Sequence, residues 1–210
     1  MASLTVENNS ATVNQLFVKS SAAAIKALQN HDSISTLTVQ PKRSSKTTAK
    51  AEAEVEKILD ALQKDTCQVT TLNLMYKKIG KLGCEAVSKV LISESCQYLT
   101  SLGVLSESID EGCGAIAAAL VNTNCALTCL ELNATKNKDI GKEACIHIAD
   151  ALKNVDCKLE NLTLACQNID LNGCKSIASA LMDSTASLKN LALKLNLKNH
   201  YKKIGKMEVN

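Results

Sequence analysis

Ten cysteines, three histidines and a duplicated basic hexapeptide are the residues of this 210-residue chain best suited to chemistry. Eight of the thiols form two columns. Cys67, Cys96, Cys125 and Cys157 each precede a short apolar stretch, while Cys84, Cys113, Cys145 and Cys174 each open a longer one. A structural zinc site needs four ligands converging tetrahedrally, commonly with a close Cys-x-x-Cys pair among them, and the sequence contains no such pair. Periodic placement on apolar faces instead suits buried thiols used as small hydrophobes, so no metal and no cofactor is expected. His31, His147 and His200 come with no nucleophile elbow, glycine-rich phosphate loop or paired-acid motif. Catalysis is not expected. The hexapeptide "YKKIGK", at Tyr76–Lys81 and again at Tyr201–Lys206, is either a duplicated ligand or targeting signal or one turn of a larger pattern.

The elements that would carry these residues favour the second reading. "ISTLTV" (34–39), "VTTLNL" (69–74), "LTSLGV" (99–104), "LTCLEL" (127–132), "LENLTL" (159–164) and "LKNLAL" (188–193) share apolar residues at relative positions 0, 3 and 5, and "SLTV" (3–6) reads as the tail of one more. Their anchors Leu4, Leu37, Leu72, Leu102, Leu130, Leu162 and Leu191 lie 33, 35, 30, 28, 32 and 29 residues apart. After each comes an apolar residue and then an i, i+3, i+7 stripe, which marks one helix face. The stripes are Cys84/Val87/Leu91, Cys113/Ile116/Leu120, Cys145/Ile148/Leu152 and Cys174/Ile177/Leu181, with "AAAIKAL" (22–28) and "AEVEKILDAL" (53–62) completing six helices. A unit of one strand and one helix cannot cover its own apolar face, so neighbours must stack into a solenoid. In that frame Ile79 and Ile204 plug the core, Gly80 and Gly205 permit the turn, and the lysines of the hexapeptide face solvent.

Together "CALTCLEL", "CKLENLTL" and "NGCKSIASAL" resemble leucine-rich repeats of the ribonuclease-inhibitor type, as in the leucine-rich regions of NOD-like receptors. The resemblance spans the chain, most closely from Cys67 to Leu193. It implies an α/β horseshoe solenoid with a parallel β-sheet on the concave face and α-helices on the convex face. It also implies protein–protein recognition, as in nucleotide-binding innate-immune receptors, ribonuclease inhibitor and the activators of Ran-type GTPases. The expected organisation is a single domain over 1–210: divergent repeats over 1–66 with a basic insertion at 40–50, regular repeats over 67–193, and an incomplete C-terminal repeat over 194–210. Departures from the pattern are visible. By counting, Lys77, Glu107, Thr135 and Gln167 occupy the position where the family places Asn or Cys after the strand. Solenoid ends also ask for polar caps, so the chain reads as a fragment, a divergent product or a segment of a larger protein.

Composition narrows the partner. The chain has no Trp, one Phe and a net charge of +3. The basic segments Lys42–Lys50 and Lys194–Lys206 therefore lack the aromatic neighbours that nucleic-acid stacking requires, and nucleic acid is not an expected partner. No secretory signal or membrane span is evident. Ten thiols used as core residues suit a reducing compartment, so a cytoplasmic location is expected, with the nucleus as the alternative and a monomer as the expected state.

Between the inward leucines, alternate residues point to the concave side. The candidates for binding a protein partner are Thr71, Asn73 and Met75 on one strand and Ser101 and Leu105 on the next. Cys129, Glu131 and Asn133 follow, then Asn161 and Thr163. Met75, Leu105 and Glu131 are expected at the centre, with the loop residues Tyr76 and Tyr98 contributing. A GTPase-activating regulator is the alternative function.

Overall fold

In the computed structural model, eight strands and six helices alternate along most of the chain. The structure describes residues 5–7, 14–30, 33–41, 47–63, 68–107, 109, 112–134, 142–166, 171–183 and 185–195. The strands are β1 (Thr5–Glu7), β2 (Asn14–Val18), β3 (Ile34–Val39), β4 (Thr71–Met75), β5 (Ser101–Leu105), β6 (Cys129–Ala134), β7 (Asn161–Cys166) and β8 (Asn190–Leu195). The helices are α1 (Ser21–Asn30), α2 (Thr48–Leu62), α3 (Gly80–Leu91), α4 (Cys113–Leu120), α5 (Lys142–Leu152) and α6 (Leu171–Leu181). The sheet runs in chain order from β1 to β8, and β2 to β8 are parallel. Each helix packs on the next. The result is a leucine-rich-repeat-type solenoid, with the sheet on the concave side and the helices on the convex side.

Strand alternation builds the core. Leu37, Leu72, Leu102, Leu130, Leu162 and Leu191 stand in register across six strands, and the first five are buried. The helix stripes meet them from the other side, with Cys84, Val87 and Leu91 among the buried residues of α3 and Cys113, Ile116 and Leu120 among those of α4. The pattern weakens at the last repeat: Ile177 is buried, but Cys174 is half-buried and Leu181 is 47% exposed. No further helix packs against α6 among the described residues, so its stripe is only half covered.

Polar devices recur with the repeat. Thr70, Thr100 and Thr128 donate their hydroxyls to the carbonyls of Ser35, Thr70 and Thr100, at 3.1, 3.4 and 3.3 Å. After α4, α5 and α6 the side chains of Asn122, Asn154 and Asp183 accept the N–H two residues on, each at 2.9 Å. These Asx turns reverse the chain toward the next strand. Gly80 opens α3 at φ +67°, where a Cβ would be strained and would meet Glu52. The Glu52 carboxylate takes the Leu82 N–H at 3.1 Å, one of the donors a helix start leaves over.

Two expectations are corrected here. The first parallel unit begins at "NQLFV", where Leu16 pairs with Leu37, rather than at Leu4. The segment around Thr5 forms β1, which runs antiparallel to β2. Only residues 8–13 separate these strands, and a parallel crossover needs about a dozen residues or more. The second correction concerns the position after each strand. Inward alternation continues to Tyr76, Ser106 and Ala134, all buried, while Lys77 is exposed and Glu107 half-exposed. The inward position after the strand is thus held by Tyr76, Ser106 and Ala134, whereas Lys77 and Glu107, reached by counting, are not buried. The remaining counted positions, Thr135 and Gln167, lie outside the described residues, as do Cys67, His31, His200, the core of the basic insertion and the second hexapeptide.

Candidate functional site

Parallel register arranges the concave face in three rows. The first runs Thr71, Ser101, Cys129, Asn161, Asn190. The second runs Thr38, Asn73, Gly103, Glu131, Thr163, Ala192. The third runs Met75, Leu105, Asn133, Ala165, Lys194. All ten residues singled out from the sequence stand on this face. Glu131 is exposed and the other nine are half-buried.

A notch of about 280 Å³ opens in the middle of the surface. It exists because Gly103 leaves a gap in the second row between Asn73 and Glu131. Those two residues stand two inter-strand spacings apart, roughly 10 Å between Cα atoms. Asn73 donates Nδ2 to the Thr38 hydroxyl at 3.1 Å. That bond turns its side-chain oxygen over Gly103, where a Cβ would collide with it. Met75 and Leu105 close the notch with apolar surface, and Asn133 completes the rim. Five of the ten sequence candidates therefore line one cavity: Asn73, Met75, Leu105, Glu131 and Asn133. Thr71, Ser101, Cys129, Asn161 and Thr163 lie on the same face outside it.

Electrostatics are simple. The Lys194 ammonium on β8 lies 3.8 Å from the Glu131 carboxylate on β6, reaching across β7, whose neighbouring residues are Thr163 and Ala165. Both side chains are largely exposed. Asn190 donates to Asn161 at 2.7 Å, which ties the first row together at its β8 end. Gly103 is not among the residues singled out from the sequence. The signal was there: a glycine at the middle of a strand marks missing side-chain volume.

Tyr76 does not belong to the surface. It is 1% exposed and sits where a core leucine would, because the inward alternation of β4 carries through it. Burial, and after it the charge of Glu54, raises its phenol well above the ordinary value. Tyr98 is 55% exposed and remains available beside the sheet. The thiols follow the same logic. Cys84, Cys113, Cys125, Cys145 and Cys157 are buried, while Cys129 is half-buried on the concave face. Burial, then Glu52 and Glu85, pushes the Cys84 thiol up to about 12. Burial also raises Cys125 and Cys157. His147 is exposed on α5 beside Gly114. Among the described residues no three His, Cys, Asp or Glu side chains are placed to hold a metal, and no helix is long and apolar enough to cross a membrane.

No family model matches the sequence, and no curated protein is similar to it in sequence. Solved structures do share its fold. One is leiomodin-1 actin-binding site 2, at a TM-score of 0.56 and 17% identity, covering 88% of this chain and 94% of that one. Another is the tropomodulin C-terminal domain of Caenorhabditis elegans, at a TM-score of 0.51 and 9% identity, covering 89% of this chain and 99% of that one. The resemblance to the ribonuclease-inhibitor and NOD-like type is corrected accordingly. The solenoid stands, but the solved structures of similar fold include leiomodin and tropomodulin domains.

Proposed function

We propose that this chain is a non-catalytic protein-binding module that meets its partner on the concave sheet and the adjoining loops. The observation that carries the reading is the notch. The continuous inner surface of the sheet, otherwise mostly small and polar, opens into a cavity at Met75, Leu105 and Glu131. Extended inner surfaces of this kind are what solenoids use for recognition. Actin is the first partner to examine, since the leiomodin-1 domain of similar fold is named as an actin-binding site.

Titration of labelled monomeric actin and co-sedimentation with filamentous actin test both parts of the proposal. The wild-type chain is expected to bind, and a Met75→Ser, Leu105→Ser, Glu131→Ser variant to bind at least about tenfold more weakly, as when central contacts are truncated. Binding that the triple variant retains would move the contact to the helices or basic loops. Absence of actin binding would remove actin as the partner. A GTP hydrolysis assay with small GTPases covers the rival activity, and stimulation abolished by one loop substitution would favour it.

A further inference from the structure

The geometry points to the notch as a socket for an arginine side chain presented by the protein partner. This deepens the concave-face reading and rests on it. The cavity offers acceptors at both walls and an apolar surface at one end. One wall carries the Glu131 carboxylate, and the other the Asn73 side-chain oxygen, which its bond to Thr38 aims over Gly103. Met75 and Leu105 supply the apolar surface. An arginine matches that layout group by group. Its methylene stem lies along apolar surface while its planar fork donates to separate acceptors. A carboxylate ligand would meet Glu131 and be repelled, and a wholly apolar one would leave both acceptors desolvated.

The chain itself supplies a partial stand-in. Lys194 extends from β8 to within 3.8 Å of Glu131. Its ammonium shows that a long cationic side chain can reach this carboxylate along the face. The pair is exposed, with side chains 63% and 48% accessible, so it is weak and exchangeable. In register, Lys194 stands in the third row and Glu131 in the second. It approaches from the β8 side, away from Asn73, so one ammonium does not span both acceptors. Lys194 is thereby a tethered competitor that an incoming arginine displaces.

The test uses the full chain and a small probe, so that it does not depend on knowing the partner. N-acetyl-arginine N-methylamide is titrated against the isotope-labelled protein while the backbone amides of Gly103, Leu105 and Glu131 are followed. The neutral citrulline analogue is the control. Saturable shifts with arginine and none with citrulline are expected. Glu131→Gln should weaken the response about fivefold or more, and Lys194→Ala should tighten it about two- to fivefold. Gly103→Ala places a methyl where the Asn73 side-chain oxygen lies, displacing that acceptor without changing charge, and should weaken the response, with the unfolding midpoint as the check on folding. Equal shifts with citrulline, or an unchanged response in Glu131→Gln, would overturn the socket. Weaker binding in Lys194→Ala would overturn the competitor role. The two readings fail separately. Arginine saturation with partner binding indifferent to Met75, Leu105 and Glu131 retires the concave-face reading and the partner's arginine with it, leaving only a site for free arginine. Partner binding that depends on those residues without any arginine response retires the socket alone.

Discussion

The Ser106 hydroxyl accepts the Ile79 N–H at 2.9 Å, fastening the loop before α3 to the end of β5 in the next repeat. Both residues are completely buried, so the bond is shielded from water and holds one turn of the solenoid to the next. Removing one partner leaves a buried donor to meet its desolvation cost. Ser106→Ala is expected to lower stability by about 1–3 kcal/mol in urea unfolding. A loss no larger than that of a typical surface substitution would mean that the turns are held elsewhere.

Ile79 and its neighbours separate the two readings of "YKKIGK". Lys77 and Lys78 are exposed, whereas Ile79 is wholly buried. Neutralising both lysines to Gln should leave the unfolding midpoint in place. Ile79→Asp buries a carboxylate with no compensating charge and should cost more than about 4 kcal/mol. Thermal melts of the two variants give the ranking, and the reverse order would make the hexapeptide a ligand site.

Cys84 predicts an alkaline limb of the stability curve. Its folded-state value of about 12 lies above the ordinary 9.0 because burial disfavours the thiolate. Between those values the folded chain binds more protons than the unfolded chain, so stability falls as pH rises from about 9 toward 12. The slope contributed approaches about 1.4 kcal/mol per pH unit. Cys84→Ala should flatten that limb. In native labelling at pH 8, Cys129 should react well before Cys84.

Tyr76 is buried with a hydroxyl that finds no hydrogen-bond partner among the described residues. Tyr76→Phe deletes only that group, and the expected result is unchanged stability or a gain of up to about 1–2 kcal/mol. A clear loss in calorimetry would show that the hydroxyl is satisfied in solution.

The repeat frame was legible because it rests on two periods that both report burial. The Leu102, Leu130 and Leu162 anchors alternate as a strand requires, and the Cys113/Ile116/Leu120 stripe recurs as a helix requires. β2 was missed although "VNQLFV" (13–18) carries the same apolar spacing, because its interval, Leu16 to Leu37, is shorter than the others. Counting from the leucines reaches Lys77 and Glu107, whereas the inward alternation of the strands ends one residue earlier, on Tyr76 and Ser106. At Tyr76 and Ser106 it is the inward alternation that sets position, and a tyrosine or a serine fits there as well as an asparagine. The notch was half legible: Met75, Leu105 and Glu131 stood out as the large or charged groups. The absence at Gly103 that turns them into a cavity, and the reach of Lys194 to Glu131, depend on register between strands.

Hydroxyl-radical footprinting of the chain alone and with bound actin tests the central claim most directly, because it reads side chains on both faces at once. Met75, Leu105 and Cys129 report the concave face, and Leu82 on α3 with Met182 after α6, 62% and 88% exposed, report the helical side. Concave-face recognition predicts that complex formation slows oxidation of Met75, Leu105 and Cys129 several-fold and leaves Leu82 and Met182 unchanged. Protection of Leu82 or Met182 with Met75, Leu105 and Cys129 still reactive would contradict it.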